Sequence, residues 1–175
     1  MSFELKSKNI TSPKRNVLLS QKAEELLNFR IEQEEYSSWL YLAMSNWLNN
    51  EGYVNISNAY KKYSDEERVH AQWSRDYLLA MGITPVTPTL KQPKNNYQNL
   101  GEILRLTYEH ENLVTTQCNT LCSESLKLND LLLFNLGQKY LSEQIEEIER
   151  TRTNLDRYII AEKEGNLFTF EQSFE

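Results

Sequence analysis

Glycine and proline are scarce, with 5 and 4 copies in 175 residues. A chain this poor in turn formers lacks what a many-stranded sandwich or barrel needs, so long helices are favoured and the expected class is all-α. Cysteine is scarcer still: only Cys118 and Cys122 occur, and they make no CxxC pair. On one helix their spacing puts both on a single face, which fits reduced, partly buried thiols in a reducing compartment and excludes a disulfide scaffold. Basic charge is also short, since 19 Lys and Arg face 25 Asp and Glu, for a formal charge of −6 and a pI near 5.1. A nucleic-acid partner requires a basic surface that displaces phosphate counterions, so that class is excluded and cations become the natural ligands. No run of roughly 18 apolar residues and no apolar N-terminal leader occurs. The reading is of a soluble, cytoplasmic protein without a membrane partner.

A length of 175 residues suits one domain able to bury a core without disulfide or metal staples. Residues 1–17 carry Lys6, Lys8, Pro13, Lys14 and Arg15 without helical periodicity and read as an N-terminal arm, leaving 18–175 as the domain. Helix one is expected from an N-cap at Ser20 to about Asn49, with Gly52 as its stop. Asn55 or Ser57 is the expected cap of helix two, which Gly82 ends. Residues 83–98 hold Pro85, Pro88 and Pro93 and are too proline-rich for a helix, but long enough to run the length of a bundle. Asn99 followed by Glu102 resembles a capping pair and opens helix three, expected over Leu100 to about Leu126. Helix four is expected from Asp130 to about Lys163, broken by Gly165, with a short fifth helix between Phe168 and Phe174. Two helical hairpins joined by one long crossover make a four-helix bundle of up-down-down-up course.

In a bundle, each helix buries a stripe whose members recur at spacings of three and four. Helix one gives Leu27, Ile31, Glu34, Ser38, Tyr41, Ser45 and Leu48; helix two gives Ile56, Tyr60, Tyr63, Glu67, His70, Ser74, Tyr77 and Met81. Helix three gives Leu100, Leu104, Thr107, Glu111, Val114, Cys118 and Leu121; helix four gives Gly137, Tyr140, Gln144, Glu147, Thr151, Asn154 and Tyr158. An acid interrupts every stripe near its middle. Burying one unpaired carboxylate costs several kcal/mol, and four that meet would also repel one another, so they require protons or a multivalent cation. No basic residue occupies a stripe position, which argues against a purely structural bundle whose acids are paired by Lys and Arg. An oxygen-dominated set with one imidazole suits iron or manganese rather than a structural zinc site. Glu67 and His70, at i and i+3, share a helix face and reach one ion, while Glu67 and Glu147 sit where carboxylates bridge two. His110 falls off its stripe and is not read as a ligand; Glu24, Glu25, Glu32, Glu35 and Glu149 are left on the surface.

The segments around these residues are EEYSSWLYLAMSNW at Glu34, DEERVHAQ at Glu67 and His70, YEHENLVT at Glu111 and YLSEQIEE at Glu147. In that order, from about Ser20 to Phe174, the sequence resembles the non-haem bacterial ferritins. The resemblance implies a ferritin-like four-helix bundle, with one long crossover between helices two and three and a short C-terminal fifth helix. It implies that Glu34, Glu67 and His70 hold one iron, and that Glu67, Glu111 and Glu147 hold a second with Gln144 beside them. Tyr41 would lie next to the pair, and a third iron position is matched by Glu66, Glu143, Glu146 and Glu147. The implied activity is that of a ferroxidase, which oxidises Fe(II) with O2 or H2O2 and stores ferric mineral inside a homo-oligomeric shell of 24 subunits. The alternative is a non-storage di-iron oxidase that scavenges peroxide. A haem is not expected: Gln144 and Glu147 replace the second ExxH of bacterioferritins, and no methionine lies between Asn55 and Ala80 to ligate one. The rubrerythrin CxxC module is absent, and the fifth helix, which lines a four-fold channel in such proteins, is expected to be short before Glu175. Phe134 and Gly137 stand where animal ferritins place the acids of a three-fold channel.

Overall fold

A computed structural model describes residues 19–174; the expected arm, 1–17, lies outside the described residues. Five helices follow in order: α1 Gln21–Asn50, α2 Val54–Ala80, α3 Leu100–Lys127, α4 Leu131–Glu164 and α5 Leu167–Gln172, with no strand among the described residues. Ser20 and Asn99 cap their helices as expected, and Asp130, expected as the first residue of helix four, caps it from just outside. The Ser20 side chain accepts from the Ala23 N–H, Asn99 from the Glu102 N–H, and Asp130 from the Leu133 N–H, each satisfying a donor that a first turn leaves free. Gly165 ends α4 at φ 68°, a left-handed conformation for which a side chain carries a steric cost.

The start of α2 differs from expectation. Asn55 and Ser57 both lie inside the helix, and the residue before it, Tyr53, makes no side-chain cap bond. The cap comes instead from α5: the Asn55 N–H donates to Glu171 Oε1 at 2.6 Å, and Asn55 Nδ2 donates to Glu171 Oε2 at 3.2 Å. A carboxylate from a distant helix thus meets the positive end of the α2 dipole.

Residues 83–98 form the expected non-helical crossover. The Val86 N–H donates to Asn28 Oδ1 at 2.9 Å near the start of α1, and the Tyr97 ring meets Trp47 at 5.8 Å near its end. The crossover therefore runs the length of α1, and α3 starts at the end where α1 finishes. The course is up-down-down-up. Helices α3 and α4 approach closely: a Cβ on Gly101 would stand 2.6 Å from Tyr158 Cε1, and one on Gly137 2.6 Å from Cys122 Sγ.

The apolar core comes in two halves. Leu27, Ile31, Leu78, Val114, Leu121 and Leu133 pack at one end; Leu48, Ile56, Tyr60, Leu100, Ile103 and Leu104 pack at the other. Each such side chain stabilises the fold by about 1.5–3 kcal/mol relative to exposure. Every stripe residue of α1, α3 and α4 is buried; on α2 the stripe drifts, and Leu78 replaces Tyr77 and Met81 in the core. Between the two halves, on all four long helices, lies a layer of polar side chains.

Candidate metal centre

Glu34, Glu67, Glu111 and Glu147 supply that layer from four different helices, joined by His70 and Gln144, and none of the six is more than 7% exposed. Ligand atoms of Glu34, Glu67 and His70 lie within 4.8 Å of one another, the one Asp/Glu/His/Cys group among the described residues close enough to hold an ion together. His70 Nδ1 stands 3.2 Å from Glu67 Oε2 and 3.9 Å from Glu147 Oε1, so the imidazole lies between two acids. The imidazole packs 4.7 Å from the Trp73 ring, and the Tyr140 hydroxyl, 2.8 Å from Ser74 Oγ, donates to the His70 backbone carbonyl at 2.7 Å.

On the opposite side, Gln144 Nε2 donates to Glu111 Oε2 at 3.3 Å and also to Glu147 Oε2, while Thr115 Oγ1 lies 2.7 Å from Gln144 Oε1. The Tyr41 hydroxyl donates to Glu111 Oε1, and its ring meets Tyr60 and Tyr63 edge-on at 6.0 and 6.2 Å. Tyr41 and Gln144 therefore both touch Glu111. Glu66, Glu143 and Glu146 are not drawn into the layer: Glu66 is exposed and accepts from Arg150 Nη1 at 3.2 Å, Glu143 is half-buried and Glu146 is exposed. His110 sits 2.8 Å from Ser37 Oγ, off the layer.

The electrostatics describe a core that resists bare negative charge. Burial raises Glu67 well above the ordinary carboxylate range, with Glu34, Glu111 and Glu147 adding to it. Glu147 is pushed up to about 9, by burial first and then by Glu111, against the pull of Arg150. Glu111 is also raised by burial, although the bonds from Tyr41 and Gln144 hold it down in part. Burial lowers His70, which keeps the imidazole neutral and available as a ligand. Such acids hold protons unless a multivalent cation replaces them.

One basic residue corrects the reading of the stripes. Arg30, 1% exposed, lies one position off the α1 stripe, and its Nη2 donates to Glu34 Oε1. Glu34 is thus paired by a buried guanidinium. The i, i+4 spacing of Arg30 and Glu34 on α1 was the available sequence signal. Arg150 is a second base that the stripes passed over; its guanidinium lies 4.0 Å from the centre of the Tyr63 ring.

Fold and site together define a class: an up-down-down-up helical bundle whose buried middle layer offers carboxylate oxygens and one imidazole to a cation. The Ferritin-like domain family profile matches residues 24–159. The chain belongs to the ferritin family. It is 34% identical over 141 residues to "Bacterial non-heme ferritin" of Escherichia coli O6:H1, covering 81% of this chain and 86% of that protein. It is 32% identical over 148 residues to "Probable bacterial non-heme ferritin-like protein" of Haemophilus influenzae, covering 85% and 90%. Among solved structures it resembles an open pore ferritin from the hyperthermophilic archaeon Archaeoglobus fulgidus, with a TM-score of 0.85, 26% identity, and coverage of 89% of this chain and 97% of the other. No helix among the described residues is long and apolar enough to cross a membrane.

Proposed function

We propose that this chain is an iron-storage ferritin that oxidises Fe(II) at a paired site inside each subunit. The observation that carries the reading is the meeting of four buried carboxylates from four helices in one layer, with His70 beside Glu34, Glu67 and Glu147 and a single guanidinium, on Glu34, hydrogen-bonded to any of them. Fe(II) is the substrate. Glu34, Glu67 and His70 would hold one ion, and Glu67, Glu111 and Glu147 the second, with Gln144 beside the pair and Tyr41 bonded to Glu111. Two Fe(II) give one electron each to O2, which takes up two protons and leaves as H2O2. The carboxylates favour the higher charge of Fe(III), and the dry apolar halves above and below keep bulk water from the layer. Glu66, Glu143 and Glu146, less buried than the layer, are with Glu147 the candidate third iron position.

The test is O2-dependent Fe(II) oxidation followed by stopped-flow absorbance. Glu67→Ala removes the carboxylate shared by both ions, and the initial rate should fall at least about tenfold while helicity is kept. A variant that oxidises as fast as the unaltered protein would sink the assignment.

The storage part of the reading requires a shell of 24 subunits. Supporting it, large apolar side chains stand open on the surface: Phe168 at 77%, Ile145 at 70%, Leu131 at 68% and Leu132 at 62% exposure. Such a surface suits burial between copies. Light scattering should give a mass near 24 chains; a mass near one chain favours the alternative of a non-storage di-iron oxidase.

A further inference from the structure

Arg30 is a permanent cation inside the polar layer, and the proposed oxidation does not use it. Its guanidinium is anchored three ways. Nη1 donates to Gln117 Oε1 at 2.6 Å, Nη2 donates to Glu34 Oε1, and the group lies 5.3 Å from the centre of the Tyr140 ring. Gln117 is itself held, since its Nε2 donates to Gln33 Oε1 at 2.9 Å. The pairing is one-sided: Glu34 Oε2 is buried without a hydrogen-bond partner among the described residues, as is Arg30 Nε.

A carboxylate with one oxygen on a guanidinium and the other unpartnered, in a group whose ligand atoms lie within 4.8 Å, is a weakened ligand rather than a blocked one. The guanidinium draws charge from the carboxylate and repels any dication on the free oxygen, and at the low effective dielectric of a buried site that repulsion is strong. An arginine, unlike a lysine, does not relieve it by losing its proton. At the other end of the layer no guanidinium is hydrogen-bonded to a carboxylate: Glu111 accepts from the neutral Tyr41 and Gln144, and Arg150, which acts on Glu147 only through space, gives its hydrogen bond to the exposed Glu66 and lies over the Tyr63 ring.

Resting on the reading of a paired site given above, we propose that Arg30 sets the order of loading. Its charge holds the Glu34–Glu67–His70 position at lower affinity for divalent cations than the Glu111–Glu147 position, so the latter fills first.

Anaerobic titration of the full chain with Co2+, followed by its visible absorption and by calorimetry, tests this without any oxidation step. The unaltered protein should bind in two resolved steps, and Glu34→Ala should remove the weaker one. Arg30→Gln and Arg30→Met, a polar and an apolar neutral replacement, should tighten the weaker step by about tenfold or more and draw the two steps together. Arg30→Lys keeps the charge and should keep the steps apart. Circular dichroism confirms that each variant is folded, and loss of the fold in one neutral variant leaves the other to decide. A weaker step unchanged or loosened in the folded neutral variants overturns the proposal, as does merging of the steps in Arg30→Lys. An unaltered protein that binds no Co2+ in a Glu67-dependent manner overturns the paired site itself, and the Arg30 proposal with it. Two normal steps that ignore Arg30 overturn only the latter.

Discussion

The Tyr41 hydroxyl donates to Glu111 from within a cluster where its ring packs against Tyr60 and Tyr63. Tyr41→Phe keeps the ring contacts and removes the one donor, so the variant isolates the bond from the packing. A buried carboxylate oxygen left without its donor costs about 1–3 kcal/mol. The metal-free variant should therefore unfold at lower denaturant than the unaltered protein, with an unchanged slope. With Co2+ bound, the ion takes over the carboxylate, and the difference between the two proteins should shrink. Equal stability in the metal-free state would show that the hydroxyl contributes packing alone. Residues of this kind were legible from sequence because they sit on a stripe that burial must enforce: Glu34, Glu67, His70, Glu111, Gln144 and Glu147 are all polar where the period demands an apolar side chain. Arg30 escaped because it stands beside the stripe, and its burial depends on a long side chain reaching inward to Glu34 and Gln117, which periodicity does not encode.

Glu171 connects two elements that are far apart in sequence. Its carboxylate, 7% exposed, accepts from the second N–H of α2, and around it Phe174 stacks on Tyr60 while Arg157 Nη2 donates to the Ser173 carbonyl at 3.0 Å. The short α5 is thereby fixed against the start of α2 and the end of α4. Glu171→Ala should cost about 1–2 kcal/mol, the range for losing a helix cap with its dipole interaction, and amide exchange should quicken at the first turn of α2. Unchanged exchange there would show that α2 caps itself. The same contact explains why the start of α2 was misplaced in the sequence. Asn55 and Ser57 are good local caps, but the actual acceptor lies in another helix, and no short-range pattern reports it. Where the sequence offers a local cap, at Ser20 and Asn99, signal and structure agree, and Asp130, expected as the first helical residue, caps α4 from just outside it. The drift of the α2 stripe from Tyr77 to Leu78 has a similar origin: over a long straight helix, a strict heptad pattern falls out of phase with 3.6 residues per turn.

For the whole molecule, the polar layer predicts how stability follows pH and metal. In the metal-free fold, burial raises Glu67, Glu111 and Glu147 above the values they have in the unfolded chain, near 4.3 for glutamate. The folded state therefore binds more protons than the unfolded one, and the stability these groups contribute is fully present below the ordinary glutamate value. It is lost as pH rises toward about 9, the value to which Glu147 is pushed by burial and by Glu111. His70 has the opposite sign: burial lowers it, so its contribution is present above the ordinary imidazole value and falls away on acidification. Three acids outweigh one imidazole, and the melting temperature of the metal-free protein should decline from about pH 6 to pH 9. Divalent cations replace the protons, and the stabilisation they give should grow over the same interval, because at higher pH fewer protons compete for the carboxylates. Melting curves at matched ionic strength, with Zn2+ or with chelator, measure both slopes. A flat profile without metal would mean that the four acids are relieved by Arg30, Arg150 and the surrounding hydrogen bonds alone, and the case for a cation in the layer would lose its physical basis.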